Sequence, residues 1–512
     1  MTAPHPRWAA ALLFALLLGS CGPAPAETEP AETPAPRYEA SWESLRQKET
    51  PDWFRDAKLG IYFHWGPYSV PAYGNEWYAH NMYQPGHDAR RHHEATYGPL
   101  NEFGYKDFIP QWKAPDFDAE AWVGLFQEAG ARFVASMGEH ADGFALWDSD
   151  LTEWDAVDKA PGIDVVGQIR DAVRKTDLKF GVTYHRHWMY AWYPTWDETT
   201  DASDPAYAGL YGPRVPEGTF VMAEVPTDPL PDAEFNQEWL DRLTELTTKY
   251  EPDLVWFDNK MDIIGEDYRR QFLADYYNLG DSLGREVVVT YKFHDLDSNS
   301  AVIDLERARM SQAVPYPWLT DDSVDWESWS HISKPDYKSP NRLVDMFVDI
   351  VSKNGCLLLN VPPTASGRIP APVQETLRAM GAWLKTNGEA IYGSRPCTTY
   401  GEGPTGVVEG HLSERQNPDN TAEDVRFTVG ADGALYATAL AWPRGAFVIK
   451  TLRNGGPLAE SIADVRLLGH DGELVWERTD EALLITPPQG VSPDEFAYCF
   501  RVETNSAQSM SN

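Results

Sequence analysis

Along this chain, apolar runs repeatedly end on an ionisable or hydrogen-bonding group. The endings are His64-Trp65-Gly66, Glu139-His140-Ala141-Asp142, Tyr184-His185-Arg186-His187, Asp258-Asn259-Lys260, Tyr291-Lys292, Glu306-Arg307 and Asn360. Burying polar groups without purpose is costly, so this concentration points to one shared site. Carboxylates and histidines interleaved with Trp and Tyr suit a sugar pocket. Cleaving a glycosidic bond needs two carboxyl groups, a nucleophile and an acid/base, standing roughly 5–5.5 Å apart in retaining enzymes. Asp258, which closes Leu254-Val255-Trp256-Phe257, is the candidate nucleophile, with a helix N-cap as its alternative role. Glu306, which closes Val302-Ile303-Asp304-Leu305, is the candidate acid, with a structural ion pair to Arg307 or Arg309 as the alternative.

Such endings converge when strands run parallel. The strand candidates are Leu59–Trp65, Ala131–His140, Lys179–His185, Asp253–Asp258, Glu286–Lys292, Ala301–Arg307, Pro317–Val324 and Cys356–Pro363, the seventh being the poorest. Most are unbroken apolar runs, as strands buried on both faces should be. Helical periodicity lies between them: Leu343, Met346, Phe347, Ile350 and Val351 form one stripe, and Leu240, Leu243, Leu246 and Tyr250 another. The pattern predicts an α/β (β/α)8 barrel whose reactive groups sit at the C-terminal ends of the strands. A doubly wound nucleotide-binding sheet is disfavoured because no glycine-rich phosphate loop follows a strand. After the helix Val373–Asn387 only short strands follow, Asp424–Val429, Leu435–Ala441, Phe447–Thr451 and Phe496–Val502 among them, the pattern of a small antiparallel sandwich. The expected division is 1–20 signal, 21–38 tether, 39–395 barrel and 396–505 sandwich.

The 43 basic and 78 acidic residues leave a formal charge of −35, a surface that repels nucleic acid. The 20 Trp and 24 Tyr suit sugar stacking, although a large core also uses them. Arg7, the apolar run Trp8 to Leu18 and then Leu18-Gly19-Ser20-Cys21 read as a secretory signal too short to span a bilayer. The cysteine directly after Leu-Gly-Ser is similar to a bacterial lipoprotein signal. That similarity implies cleavage before Cys21 and its acylation, hence a protein carried across the inner membrane and anchored at the outer one; an ordinary signal with a chance cysteine is the alternative. Gly22 to Pro36 reads as a disordered tether. Cys356, Cys397 and Cys499 are widely spaced and odd in number, which predicts neither a disulfide framework nor a zinc site. His185-Arg186-His187 and His92-His93 lack a third ligand at a readable spacing, so no metal or other cofactor is expected.

Longer motifs make a resemblance specific. Leu59-Gly60-Ile61-Tyr62-Phe63-His64-Trp65-Gly66-Pro67-Tyr68-Ser69-Val70-Pro71 with Gly74-Asn75-Glu76-Trp77-Tyr78 and Asn81-Met82-Tyr83 resembles the opening of glycoside hydrolase family 29, the retaining α-L-fucosidases. So do His140 with Asp142-Gly143-Phe144, Pro252 through Asp258, Asn354-Gly355, and Leu357-Leu358-Leu359-Asn360-Val361. The resemblance implies Asp258 as nucleophile, with His64, Glu76, Trp77, His140 and Tyr184 lining the fucose subsite. Lys292 and Trp329 join them as substrate-binding candidates. The expected activity is exo-acting release of terminal α-L-fucose from oligosaccharides or polysaccharides. The alternatives are another L-sugar, such as L-galactose or L-glucose, and a non-catalytic carbohydrate-binding lipoprotein. Three departures stand out: Ala141 where the family commonly has a second histidine, Trp318-Leu319 where it often has a tryptophan–glutamate pair, and Ser328-Trp329-Ser330-His331 for Ser-Trp-Gly-Tyr. The second makes Glu306 the expected acid, with Asp321 and Glu266 open.

Overall fold

The computed structural model describes residues 36–219, 229–458, 461–491 and 496–504. Cys21 and the signal and tether segments up to residue 35 lie outside the described residues. Eight parallel strands close a barrel in chain order: β1 Leu59–Phe63, β2 Phe133–Glu139, β3 Lys179–Tyr184, β4 Leu254–Phe257, β5 Val288–Lys292, β6 Val302–Glu306, β7 Trp318–Ser323 and β8 Gly355–Val361. Each falls within a residue or two of an expected strand. β7 read poorly because it carries Thr320-Asp321-Asp322-Ser323, yet all its residues are buried. Its two carboxyl groups have buried donors: Tyr62 Oη donates to Asp321 at 2.8 Å, and Lys338 Nζ to Asp322 at 2.6 Å.

The barrel lumen is a packed core rather than a channel. Tyr62, Phe133, Ala135, Leu254, Trp256, Val288, Val302, Leu319, Cys356 and Leu358 fill it, alternating along their strands with residues that face the helices. Helices α1 Ala119–Glu128, α2 Val165–Val173, α3 Ala233–Tyr250, α4 Glu266–Ser282, α5 Pro340–Ser352 and α6 Ala371–Asn387 wrap the outside. Four begin where the sequence provides a cap: Asp118, Asp164, Asp232 and Ser339 each accept a first-turn N–H. Among the described residues the β5–β6 and β6–β7 connections carry no helix.

The remaining strands form two antiparallel sheets on one core. β9 Arg395–Glu402, β10 Val425–Val429, β11 Leu435–Ala439, β13 Ile462–Leu467 and β16 Tyr498–Thr504 make a five-stranded sheet in the order β13-β16-β11-β10-β9. β12 Phe447–Ile449, β15 Leu483–Ile485 and β14 Trp476–Arg478 make a three-stranded one. Phe427, Ala437 and Phe500 of the first sheet pack with Phe447, Ile449 and Leu483 of the second. Cys356, Cys397 and Cys499 are free and buried. The β9–β10 loop returns to the barrel, where buried Glu414 takes Arg309 at 2.7 Å and Arg342 at 2.7 Å. In this way the second domain reaches the barrel mouth.

Candidate active site

Strand parity decides which side chains reach the mouth. On β1, β4, β5, β6 and β8 the inward series runs through Tyr62 to His64, Trp256 to Asp258, Val288 to Lys292, Val302 to Glu306, and Leu358 to Asn360. On β2 the register shifts between Met137 and Glu139. A bulge of one residue reverses the faces. It turns Glu139 outward onto Arg186 and Arg242, at 2.6 and 2.7 Å, and gives the mouth to His140. The resulting cavity holds about 520 Å³ and is lined by His64, Glu76, Trp77, His140, His185, Trp256, Asp258, Lys292, Glu306, Asp321 and Trp329, among others.

Tyr184 is the one substrate-binding expectation that the structure removes. Along β3, Phe180, Val182 and Tyr184 belong to the outer core, so residue 184 points at the helices. Its ring packs against Trp239 and Phe257, and its hydroxyl donates to the Trp239 carbonyl at 3.2 Å. His185, one residue on, lines the cavity instead. Three imidazoles therefore face the mouth despite Ala141, which is buried outside the lining.

Those imidazoles form a neutral wall. His64 Nδ1 meets the Asn360 side-chain oxygen at 2.9 Å, while Asn360 Nδ2 donates to Ser323 Oγ and the Trp329 carbonyl, which fixes the amide orientation. His185 Nδ1 meets the Glu139 carbonyl at 3.2 Å. Both rings thus carry their proton on Nδ1 and keep a lone pair on Nε2. Burial pushes the His64 pKa down to about 4, and those of His140 and His185 well below the ordinary histidine value. Ligand nitrogens of the three lie within 4.8 Å of one another. Neutral imidazoles so placed accept sugar hydroxyls, and they are also a donor set for a divalent transition metal. Trp329 lies 5.6 Å from His64, held by its N–H to Glu76 at 3.0 Å, and Trp77 packs on Trp188 and Trp192. His92 stacks on Tyr73 and His93 bonds the Phe103 carbonyl; neither lines the cavity.

The opposite wall is charged. Lys292 Nζ sits 2.9 Å from Glu306, 3.1 Å from Asp321, 3.3 Å from Asp258 and 3.9 Å from Asp304. Burial opposes its charge, but Asp321, Glu306, Asp258 and Asp304 outweigh that and hold its pKa well above normal. Burial, followed by the charge of Asp304, drives Asp321 far up, and burial raises Asp304 as well. Asp321 also accepts Tyr62 Oη, and Asp304 accepts Trp256 Nε1 at 2.8 Å. These two form the floor of the cluster. Asp258 and Glu306 are its accessible members, with side chains 21% and 14% exposed against 2% for Asp321. Asp258 Oδ1 and Glu306 Oε2, at 3.3 and 2.9 Å from one ammonium, can stand no more than about 6.2 Å apart, which is compatible with the ~5–5.5 Å spacing of a retaining pair.

Asp258 caps no helix, since Lys260 and Gly265 occupy the N-cap positions that follow it. Neither neighbouring arginine holds Glu306: Arg307 approaches Asp322 and lies 4.4 Å from the Trp329 ring, while Arg309 pairs with Glu414 and Asp349. Glu266 opens α4 outside the cavity, paired with Arg270. Leu319 lies level with Asp304, one layer below the mouth in the apolar lumen. Sequence reasoning missed Asp304, although the alternation Val302, Asp304, Glu306 could have placed it. It also missed His411, which stands 3.9 Å from Glu306 on the β9–β10 loop and has no local signal.

A parallel eight-stranded barrel with two carboxyl groups this close at its C-terminal mouth, facing imidazoles and tryptophans, is the site of a glycosidic-bond hydrolase. More particularly, the chain belongs to the α-L-fucosidase family: residues 26–389 match the α-L-fucosidase family and 416–503 its C-terminal domain. Rattus norvegicus tissue α-L-fucosidase is 31% identical over 478 residues, covering 91% of this chain and 92% of the relative. Homo sapiens plasma α-L-fucosidase is 32% identical over 472 residues, covering 89% of each. Among solved structures, Thermotoga maritima α-fucosidase in complex with a mechanism-based inhibitor superposes with a TM-score of 0.71 at 28% identity, covering 91% of this chain and 100% of that one.

Proposed function

We propose that this protein releases terminal α-L-fucose from glycans, as an exo-acting hydrolase, by double displacement. Asp258 attacks the anomeric carbon; a bond forms from its carboxylate oxygen to that carbon as the bond to the aglycone oxygen breaks. The Glu306 proton goes to the departing oxygen. A water molecule then gives its proton to Glu306 and attacks the same carbon, freeing Asp258 and releasing the sugar with retained configuration. Lys292 offsets the negative charge that two close carboxyl groups concentrate. His64, His140 and His185 accept hydrogen bonds from the sugar hydroxyls, and Trp77 and Trp329 flank the ring, so that binding places the anomeric carbon against Asp258. The observation that carries this reading is the shared contact of Asp258 and Glu306 with one buried lysine.

The test is Asp258→Gly. Hydrolysis of a nitrophenyl α-L-fucoside should fall by about four orders of magnitude or more, and added azide should restore turnover by occupying the vacated space. Activity within tenfold of the wild type would remove Asp258 from the role. A panel of nitrophenyl α- and β-L-glycosides should rank the α-L-fucoside first.

The lipid anchor is a second part of the proposal, supported by Leu18-Gly19-Ser20-Cys21. Acylation of Cys21 would hold the enzyme at the outer membrane. Acyl mass on the N-terminal peptide is the expected result, and a wild-type protein that fractionates as soluble without it would sink this part.

A further inference from the structure

The leaving group departs past the acid, and what stands on that side of Glu306 comes from outside the barrel repeat. Where the outer layer lacks a helix beside β6, the β9–β10 loop moves in. Leu412 N–H donates to the Glu306 carbonyl at 3.0 Å, and Glu414 N–H to that of Arg307 at 2.8 Å. This docking sets the His411 ring beside the Glu306 carboxylate and edge-on to Phe293, with ring centroids 5.2 Å apart. A second cavity of about 340 Å³ adjoins the first. It shares Lys292, Glu306 and His411 with it, and Phe293, Ile303, Leu305 and Met310 give it an apolar wall.

Phe293 is the unusual residue here. The residue is 49% exposed, so it adds little to the core. Its backbone is left-handed, with φ of 50°, which a bulky side chain adopts at a cost. Such strain collects where a structure aims a side chain for use. Arg307 and Leu412, its neighbours around the same opening, are left-handed too.

We infer that Phe293 and His411, with the apolar cavity beside them, bind the leaving group. The occupant is the first sugar unit of the aglycone, laid with a C–H face on the Phe293 ring while its glycosidic oxygen meets Glu306. The inference rests on the proposed roles of Asp258 and Glu306, and it makes aglycone selectivity a property of the second domain as well as of the barrel.

Three substrates separate the possibilities. α-L-Fucosyl fluoride has a single-atom leaving group that cannot reach Phe293, whereas a fucosyl disaccharide and a nitrophenyl fucoside can. Phe293→Ala should lower kcat/KM about tenfold on the disaccharide, less on the nitrophenyl fucoside, and less than twofold on the fluoride. With the fluoride as donor and a free sugar as acceptor, the ratio of transfer to hydrolysis should fall about fivefold in the same variant. Equal losses on all three substrates, or none on the disaccharide together with an unchanged transfer ratio, would overturn the subsite. A wild-type protein that leaves the fluoride intact would instead overturn the glycosidase reading beneath it.

Discussion

The imidazole wall on β1–β3 and the carboxylate wall on β4–β7 belong to one sheet but answer burial in opposite ways. His64, His140 and His185 surrender their charge, each driven down mainly by desolvation. The other wall keeps its charge by gathering Asp258, Asp304, Glu306 and Asp321 around Lys292. Four ionised carboxyl groups about one cation would be strongly repulsive, and burial pushes the pKa values of the floor pair, Asp304 and Asp321, upward while the accessible pair faces the cavity. Two halves follow: one accepts hydroxyls without competing charge, and the other stores the charge that the reaction spends. The sharpest way to break this contrast is to change one half and ask whether the loss has the character of chemistry or of binding.

The largest such effect short of removing the nucleophile is expected from Glu306→Gln. The amide keeps the shape and cannot give up a proton as an acid. Natural fucosides should lose about 10²–10⁴-fold in rate, and a nitrophenyl fucoside much less in the glycosylation step, because that leaving group departs unaided. A loss of equal size on every leaving group, with a lowered Tm, would make Glu306 structural and move the acid to Asp321.

Lys292→Met comes next. Removing the cation leaves the cluster without its compensating charge in a buried setting, which costs about 3–5 kcal/mol of stability. Losing a nearby positive charge makes a carboxylate harder to ionise, so in this variant the acidic limb of kcat/KM against pH should move to higher pH while KM changes little. Urea unfolding and a pH–rate profile check the two halves of that statement. A variant as stable as the wild type with an unmoved acidic limb would show that Lys292 does not organise this wall.

Much of this contrast was legible in the sequence, because a parallel strand buried on both faces ends in a break of character at the mouth. His64, His140, Asp258, Lys292, Glu306 and Asn360 are such breaks, and all of them line or support the cavity. The expected strand ends fall within two residues of the observed ones, and one residue is enough to reverse a side chain. Tyr184 and His185 both follow the same apolar run, and only the inward parity of β3 separates them. The bulge on β2 is invisible for the same reason, although it is what turns Glu139 outward and His140 inward. His411 was beyond reach: its position depends on how a loop of one domain docks on a strand end of another, and a local pattern does not encode that.

The two walls also carry opposite pH linkage, a smaller effect that sharpens the contrast. The His140 pKa is depressed in the folded state, so its contribution to stability is present above about pH 6.5 and is lost as pH falls below that. That of Asp321 is raised, so its contribution is full below about pH 4 and is lost as pH rises. Between these values the two oppose each other, each at about 1.4 kcal/mol per pH unit. His140→Ala should therefore flatten the acid side of a stability–pH curve, and Asp321→Asn the rising-pH side. Chemical denaturation from pH 4 to 7 measures both, and parallel curves for the two variants would contradict the opposite linkages. On activity, His140→Ala should raise KM more than it lowers kcat, as befits the binding half.

The smallest expected effect belongs to Tyr184→Phe, and it decides between two placements of one residue. If Tyr184 lined the sugar subsite, as the family resemblance implied, loss of its hydroxyl would remove a contact to the substrate and cost roughly tenfold in kcat/KM. In the structure that hydroxyl lies behind the barrel wall, donating to the Trp239 carbonyl inside α3. The carbonyl can keep its helical N–H partner when the phenol is gone, so no acceptor is orphaned. The ring itself, packed between Trp239 and Phe257, is unchanged by the substitution. Only the net worth of one hydrogen bond is then lost, about 0.5–1.5 kcal/mol, which shows as a small drop in Tm. Activity on the nitrophenyl fucoside should stay within twofold. His185→Ala supplies the reciprocal measurement: it removes an imidazole from the mouth, so kcat/KM should fall at least tenfold. If Tyr184→Phe were the damaging change and His185→Ala the silent one, the parity of β3 would have to be reversed, and with it the identity of the third member of the imidazole wall.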